Sequence, residues 1–311
     1  MTVTGADRLE ATSTSSPSPN VIDASPRFML QVSRFPWKAE ELAERLGGIA
    51  QAAEGAGFAG LAVMDHFIQI PKVGRHWEII PEGYTTLSFL SALTRRLRLG
   101  VLVTGVTYRN LGLLGKMVAT LDVLSGGRAF CGLGAAWFER EHEAYGFTFP
   151  PARQRLDILE DALQVLPLLW GPGSPPFTGK TMTMAETTCY PRPLQEKIPI
   201  IVGGGGERRT LRLAARYADA CNLGGSVDVV KHKREVLGQH CREVGRDPNS
   251  IEITHLTNLR VGEMGSGTLR RHVDGFRRLR EEGVTTFFVS VSDLTGTEQI
   301  EMLVPVMAAL R

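Results

Sequence analysis

No stretch of this sequence is apolar over anything near the roughly 20 residues that a bilayer-spanning helix needs, so no membrane role is expected. Cysteine is scarce. The four residues, Cys131, Cys189, Cys221 and Cys241, are widely spaced and form no CxxC pair. Neither a disulfide framework nor a thiolate zinc site is indicated. Cys131 and Cys221 fall in apolar, strand-like runs and are expected as buried thiols. Charge of one sign is also lacking: 35 Lys and Arg face 33 Asp and Glu, a net +2 with His neutral. So mixed a balance offers no field suited to nucleic acid or an anionic membrane. Glu139, Arg140, Glu141 and His142 lack the HExxH spacing, so no metal is expected. The first 25 residues are rich in Ser, Thr and Pro and lack an apolar h-region, which argues against a signal peptide. They are expected as a disordered tail, and the protein as cytoplasmic.

What is present is apolar residue and glycine: 43% hydrophobic content and 34 glycines in 311 residues. That is enough for one large core, and α/β barrels run to this length as a single domain, here expected over 26–311. Short apolar strands are read at 27–33, 60–64, 97–104, 128–133, 199–202, 219–223, 251–261 and 285–291. Helices are read between and after them at about 38–55, 86–94, 113–124, 151–170, 207–217, 227–244, 268–282 and 298–310, from apolar spacing such as Leu42, Leu46, Ile49 and Ala53. Near-continuous apolar strands alternating with helices predict a parallel sheet covered outside by helices. Eight such units favour closure into a barrel; a doubly wound open sheet is the alternative. The Gly- and Pro-rich stretch 171–196 interrupts the rhythm. It is read as an excursion between barrel units, with a short hairpin, serving either as plain surface or as a lid.

In such a barrel, catalytic groups sit at the C-terminal ends of the strands. Strand two ends at Asp65-His66, and His suits proton exchange near neutral pH. Thr104, Thr107, Tyr108, Arg109 and Asn110 follow strand three. Gly134, Trp137, Glu139, Glu141 and His142 follow strand four, and Asn222, Gly224 and Gly225 follow strand six. Gly203, Gly204, Gly205 and Gly206 follow strand five and precede a helix. Successive glycines can turn backbone N–H groups into one concavity, and the helix dipole adds to its pull on an anion, which makes this run a phosphate candidate. It is neither GxGxxG nor a Walker A loop. Arg208 and Arg209 are placed to assist. Gly134 and Ala135 are small enough at the mouth of strand four for a flat ring to approach the backbone. Trp137 there either stacks on such a ring or packs under a loop.

Several of these segments resemble the luciferase-like monooxygenase superfamily, and within it the coenzyme F420-dependent oxidoreductases. They are Val63 to Phe67, Leu99 to Asn110, Lys116 to Arg128, Gly132 to Trp137 and Val202 to Glu207. The likeness implies a luciferase-like (β/α)₈ TIM barrel with an insertion near strand four or five, often a homodimer. It implies hydride transfer between F420 and a small organic substrate, with FMN as the alternative cofactor and a flavin reductase as partner in that case. A barrel that binds without catalysing is a third possibility. Relatives place a non-prolyl cis peptide in strand three behind the ring; by position this is Leu102-Val103. The resemblance assigns proton transfer to His66. Asp65, His66, Leu102, Val103, Thr104, Gly134 and Ala135 are expected beside the ring, and Gly203 to Gly206 on the phosphate, a loop that relatives also use for it. Phe67, Trp77, Tyr108 and Trp137 are expected to shape the substrate pocket. Sugar-phosphate dehydrogenases of this branch carry a glutamate where this sequence has Trp137. Glu139 and Glu141 are the nearby acids, and the sequence gives no account that places either.

Overall fold

A computed structural model describes residues 25–262 and 265–311. The expected tail, residues 1–24 of it, lies outside the described residues. The elements in chain order are β1 (Arg27–Val32), α1 (Leu42–Ala56), β2 (Gly60–Val63), α2 (Gly83–Leu93), β3 (Arg98–Val101), β4 (Thr104–Gly105) and α3 (Leu111–Ser125). Then come β5 (Cys131–Gly134), α4 (Glu139–Tyr145), α5 (Ala152–Trp170), β6 (Phe177–Thr178), β7 (Thr183–Met184), β8 (Ile200–Gly203) and α6 (Thr210–Tyr217). The chain ends with β9 (Ala220–Leu223), α7 (Val227–Glu243), β10 (Glu252–Leu259), α8 (Ser266–Glu281), β11 (Val284–Val291), α9 (Glu298–Glu301) and α10 (Val304–Ala308).

Nine strands form one parallel sheet in the order β3-β2-β1-β11-β10-β9-β8-β5-β4. β3 and β4 are two pieces of one strand, separated by Leu102 and Val103, whose shared peptide bond is cis. The sheet closes on itself here. Leu99 bridges Ala129 in parallel, the Phe130 N–H donates to the Leu99 carbonyl at 3.0 Å, and Thr104 pairs with Leu133. The result is the expected eight-stranded α/β barrel.

Side-chain alternation explains its two cores. Leu30, Val32, Leu61, Val63, Leu99, Val101, Cys131, Leu133, Phe287 and Val289 point outward into the layer between strands and helices. Met29, Ala62, Leu102, Phe130, Ile201, Ala220 and Phe288 point inward and plug the barrel. Each fully buried Leu or Phe contributes about 1.5–3 kcal/mol relative to an exposed one. The helices start and stop at local signals. Asn110 caps α3 by accepting from Gly112 N–H at 2.8 Å, and Gly126 ends it in the left-handed region at φ 72°.

Four readings need correction. The third strand, expected unbroken over 97–104, loses its pairing at 102–103, because an apolar run does not report a break in the ladder. The helix expected at 86 begins at Gly83, one turn earlier, because Glu82 caps it through Thr85 N–H. The helix expected at Glu207 begins only at Thr210. The last helix is two pieces, with Pro305 opening the second. One helix, α4, was not read at all.

The excursion contains the expected hairpin, β6 against β7. Asp161 of α5, wholly buried, accepts from Lys180 N–H at 2.8 Å and from the Thr181 N–H and hydroxyl at 2.6 Å. The hairpin is thus tied to the barrel wall, which favours a fixed excursion over a hinged lid. Cys131 and Cys221 are buried, and burial pushes the Cys221 thiol up to about 12. No helix among the described residues is long and apolar enough to cross a membrane.

Candidate functional site

The mouth of the barrel is where β2, β4, β5 and β8 end together. The Asp65 carboxylate is 4% exposed and faces the wall. Arg109 holds both its oxygens at 2.8 Å, and Gly105 N–H donates to it at 3.0 Å. Arg109 also reaches Glu82 at 2.6 Å and lies over the Tyr84 ring. Burial raises the Asp65 carboxyl, opposed by the Arg109 guanidinium and the Gly105 N–H. Thr104 is fully buried and bonds the Tyr84 hydroxyl at 2.7 Å. The side chains of Asp65 and Thr104 therefore brace the rim and leave no group free toward a ring.

His66, the next residue along, does face the opening. Its Nδ1 lies 2.6 Å from Glu141 Oε1. The Phe67 N–H donates to the other Glu141 oxygen at 2.9 Å, and the Tyr108 hydroxyl donates to Oε1. The Glu141 side chain is wholly buried. Burial works against its charge, but the His66, Tyr108 and Phe67 hydrogen bonds outweigh that and hold the carboxyl below its ordinary value. Burial, with Glu141 beside it, pushes the Tyr108 phenol well above its usual range, so it stays a donor. An ionised Glu141 only accepts. His66 must then carry its proton on Nδ1 when neutral. Nε2 is left as an acceptor; it bonds nothing among the described residues, nor is it a buried unpartnered atom, so it opens outward.

Ala136 takes φ 55°, a left-handed conformation uncommon for a residue with a side chain. This bend precedes Trp137, which is 55% exposed, stacks on Phe138 at 5.1 Å and meets the His66 ring edge-on at 5.8 Å. The Ala135 carbonyl accepts from Arg155. Phe67 and Tyr108 pack with each other and with Phe147 beneath the mouth. Trp77 stands apart, 68% exposed and in contact with His76 and Arg75. Of the expected pocket residues, only Trp137 stands beside His66 with its face free.

The floor is built by Val103. A Cβ on Gly134 would meet its Cγ2 at 2.7 Å, and one on Gly203 would meet its Cγ1 at 2.8 Å. These glycines make room for the Val103 side chain between β5 and β8; they do not leave an empty slot. Gln31 of β1 also points into the barrel, two residues above Met29. It is 2% exposed, and its Oε1 has no hydrogen-bond partner among the described residues. A buried amide left unpaired costs about 1–3 kcal/mol, so a polar ring edge lying on this floor would satisfy it. The loop beyond β8 is open: Gly204, Gly205 and Gly206 are exposed, and Gly204 sits at φ 119°, which only glycine adopts readily. The N–H groups of Gly205 and Gly206 donate to nothing among the described residues. The loop is therefore free to present N–H groups to a phosphate. A flavin-type cofactor fits these features: ring on Val103 and Gln31, phosphate at Gly204 to Gly206.

Glu141 was named among the acids after strand four but given no place, and Gln31 escaped sequence reasoning. Glu141 carried one usable signal, Glu139 to Tyr145 as a helix of about two turns, hidden by its short length. Gln31 had a polar side chain in an apolar strand, which alternation assigns to the inner face.

Residues 28–286 match the model of a family described as luciferase-like monooxygenase. An F420-dependent glucose-6-phosphate dehydrogenase of Kineococcus radiotolerans is 32% identical over 224 residues, 69% of this chain and 65% of that protein. The chain thus spans less than two thirds of that relative's length. Among solved structures, an F420-dependent secondary alcohol dehydrogenase in complex with an F420-acetone adduct superposes with a TM-score of 0.79 at 18% identity, covering 93% of this chain and 100% of that one. A monooxygenase from Streptomyces bottropensis gives 0.69 at 18% identity, covering 91% and 96%. At such identities these structures speak for the fold alone.

Proposed function

Since the chain belongs to the luciferase-like monooxygenase family, we propose that it is an oxidoreductase moving a hydride between coenzyme F420 and a small organic substrate. The observation that carries this is one of placement: the outward Nε2 of His66 and the open N–H groups of Gly205 and Gly206 lie at the same end of the barrel. The relative named for F420-dependent dehydrogenation supports the choice of cofactor. When bound, F420 supplies the carbon that takes up or gives back a hydride.

The chain's own residues supply position and the proton. Val103 and Gln31 support the ring. Gly204 to Gly206 hold the phosphate. His66 Nε2 accepts the proton that a hydroxyl substrate releases, and Glu141 stabilises the imidazolium that results. Tyr108 keeps Glu141 oriented. Trp137 covers the approach to His66 and thins the water around it. The reaction class follows: a substrate alcohol loses a proton to His66 as its carbon gives up hydride.

FMN would use the same glycine loop, and monooxygenases share the fold. Titrating the purified protein with F420 and FMN side by side decides between them. Saturable binding of F420, with FMN much weaker, is expected. Tight FMN binding with no affinity for F420 overturns the proposal.

A further inference from the structure

The opposite end of the barrel carries a feature that the proposed reaction does not use. His66 and the glycine loop follow strand ends, whereas Arg27, Arg98 and Glu252 are the first residues of β1, β3 and β10. Among the described residues, these strand starts surround a cavity of about 340 Å³. Sites for small organic ligands begin at roughly 300 Å³. The floor is apolar and consists of Met29, Phe130, Ile201 and Phe288, all buried. The Phe130 and Phe288 rings lie 5.9 Å apart. These four side chains belong to the plug of the barrel, which separates the cavity from the mouth.

The rim is charged, and its charges do not balance. Arg27 pairs with Glu252 at 2.5 Å, and Lys197 pairs with Asp219. Both carboxylates are thereby matched. Arg98 is the third cation on the rim. It forms no salt bridge among the described residues; Glu252 and Asp122 act on it only at longer range. Burial and the neighbouring Arg27 disfavour its charge, yet a guanidinium keeps its proton in a protein. The rim therefore holds one positive charge that nothing cancels. Arg98 Nη2 donates to Gln195 Oε1 at 2.8 Å. That bond does not account for the residue, because Asp122 and the Ala129 carbonyl already hold Gln195 at 2.6 and 2.8 Å. It also leaves one parallel pair of guanidinium N–H groups whole.

We propose that this cavity binds a small organic monocarboxylate, its apolar body against Phe130 and Phe288 and its carboxylate on Arg98. Three features select that class. One unmatched cation calls for one negative charge. The apolar floor disfavours inorganic phosphate or sulfate, which would lose water there without gaining partners. A planar guanidinium with two parallel N–H groups matches the two oxygens of a carboxylate. The hydroxyls of the lining are already bonded, Thr254 to Asn222 and Thr286 to Arg27 and Glu252. With no free base or nucleophile among these groups, the ligand is held and not converted. The proposal is independent of which cofactor occupies the mouth.

The test uses the full chain, with benzoate as the probe and calorimetric titration as the readout. Benzamide keeps the ring without the charge, and acetate keeps the charge without the ring. Benzoate is expected to bind saturably, with a Kd on the order of 1 mM or below, and to raise the melting temperature. Benzamide and acetate should bind about tenfold more weakly or worse. R98Q should weaken benzoate about tenfold or more, R98K should keep part of the affinity, and A59F should abolish binding by filling the cavity from its side wall. Melting without probe checks that each variant is folded. Added salt should weaken benzoate binding. Absence of benzoate binding to the wild type overturns the proposal, as does equal binding of benzamide. Wild-type affinity in both R98Q and A59F overturns it too. Loss of benzoate binding in H66A would place the probe at the mouth and would likewise end the proposal, with the cofactor reading untouched.

Discussion

His66 Nδ1 and Glu141 Oε1 stand 2.6 Å apart, joining the end of β2 to α4 across 75 positions of sequence. This contact sets the tautomer of the histidine and hence the direction in which it can act. Replacing Glu141 by Gln keeps the shape but removes the charge that stabilises imidazolium. E141Q is expected to lower kcat about 10–100-fold, with the cofactor Kd within about twofold. H66A is expected to bind cofactor equally well and to lose about 10²–10⁴ in kcat. Steady-state kinetics beside cofactor titration check both. Turnover at the wild-type rate in H66A would remove the proton-transfer role; wild-type kcat and pH profile in E141Q would reduce Glu141 to a packing residue.

The same carboxylate makes an acid-stability prediction. Despite its burial, the hydrogen bonds from His66, Tyr108 and Phe67 hold the Glu141 carboxyl below its ordinary 4.5 in the folded protein. A carboxyl depressed by folding adds stability above its unfolded value and loses it as pH falls through the folded one. Melting temperature should therefore decline below about pH 4.5 partly on account of Glu141. E141Q, melted over the same pH series, should show a shallower decline. Parallel curves for the two proteins would deny Glu141 its depressed carboxyl.

Arg109 and Asp65 form the rim's buried ion pair, with side chains 8% and 2% exposed. Removing the guanidinium leaves the Asp65 carboxyl in a dry site with only the Gly105 N–H as partner, and Glu82 without its cation. R109A is expected to cost about 3–5 kcal/mol of stability, read by urea denaturation. R109K recovers only part, because an ammonium cannot span both carboxylate oxygens and Glu82 at once. A loss under about 1 kcal/mol would show that water reaches the site and solvates Asp65.

Strand ends were legible because a parallel barrel exposes its polar residues there, so Asp65, His66 and the Gly203 to Gly206 run could be picked from the sequence. What each side chain faces was not. Asp65 and His66 are neighbours, yet one points into the wall and the other to the mouth. The sequence carries their order but not the position of Arg109, 44 residues away, which decides it. Glu141 was named as a nearby acid, but its placement was beyond reach for a related reason. Its helix is 7 residues long, too short for apolar periodicity to show, and its meaning arises only from Tyr108 and His66, brought to it by the closure of the barrel. The glycines of β5 and β8 were recognised as permissive; that Val103 fills the space they leave is a fact of packing between strands.

That packing gives the last prediction. Gly134→Ala puts a methyl group 2.7 Å from Val103 Cγ2, inside contact distance, in a floor closed on its other side by β8. Overpacking of this kind costs about 1–3 kcal/mol, and here it also lifts Val103 toward the space a cofactor ring would use. G134A should melt lower and bind cofactor more weakly. Adding V103A removes the two methyl groups in the way, so the double variant should recover stability relative to G134A. The coupling is read as a double-mutant cycle, with expected interaction of about 0.5–3 kcal/mol in favour of the pair. Additive losses would mean that Val103 can turn aside without cost. The glycine at 134 would then serve something other than the fit of that side chain.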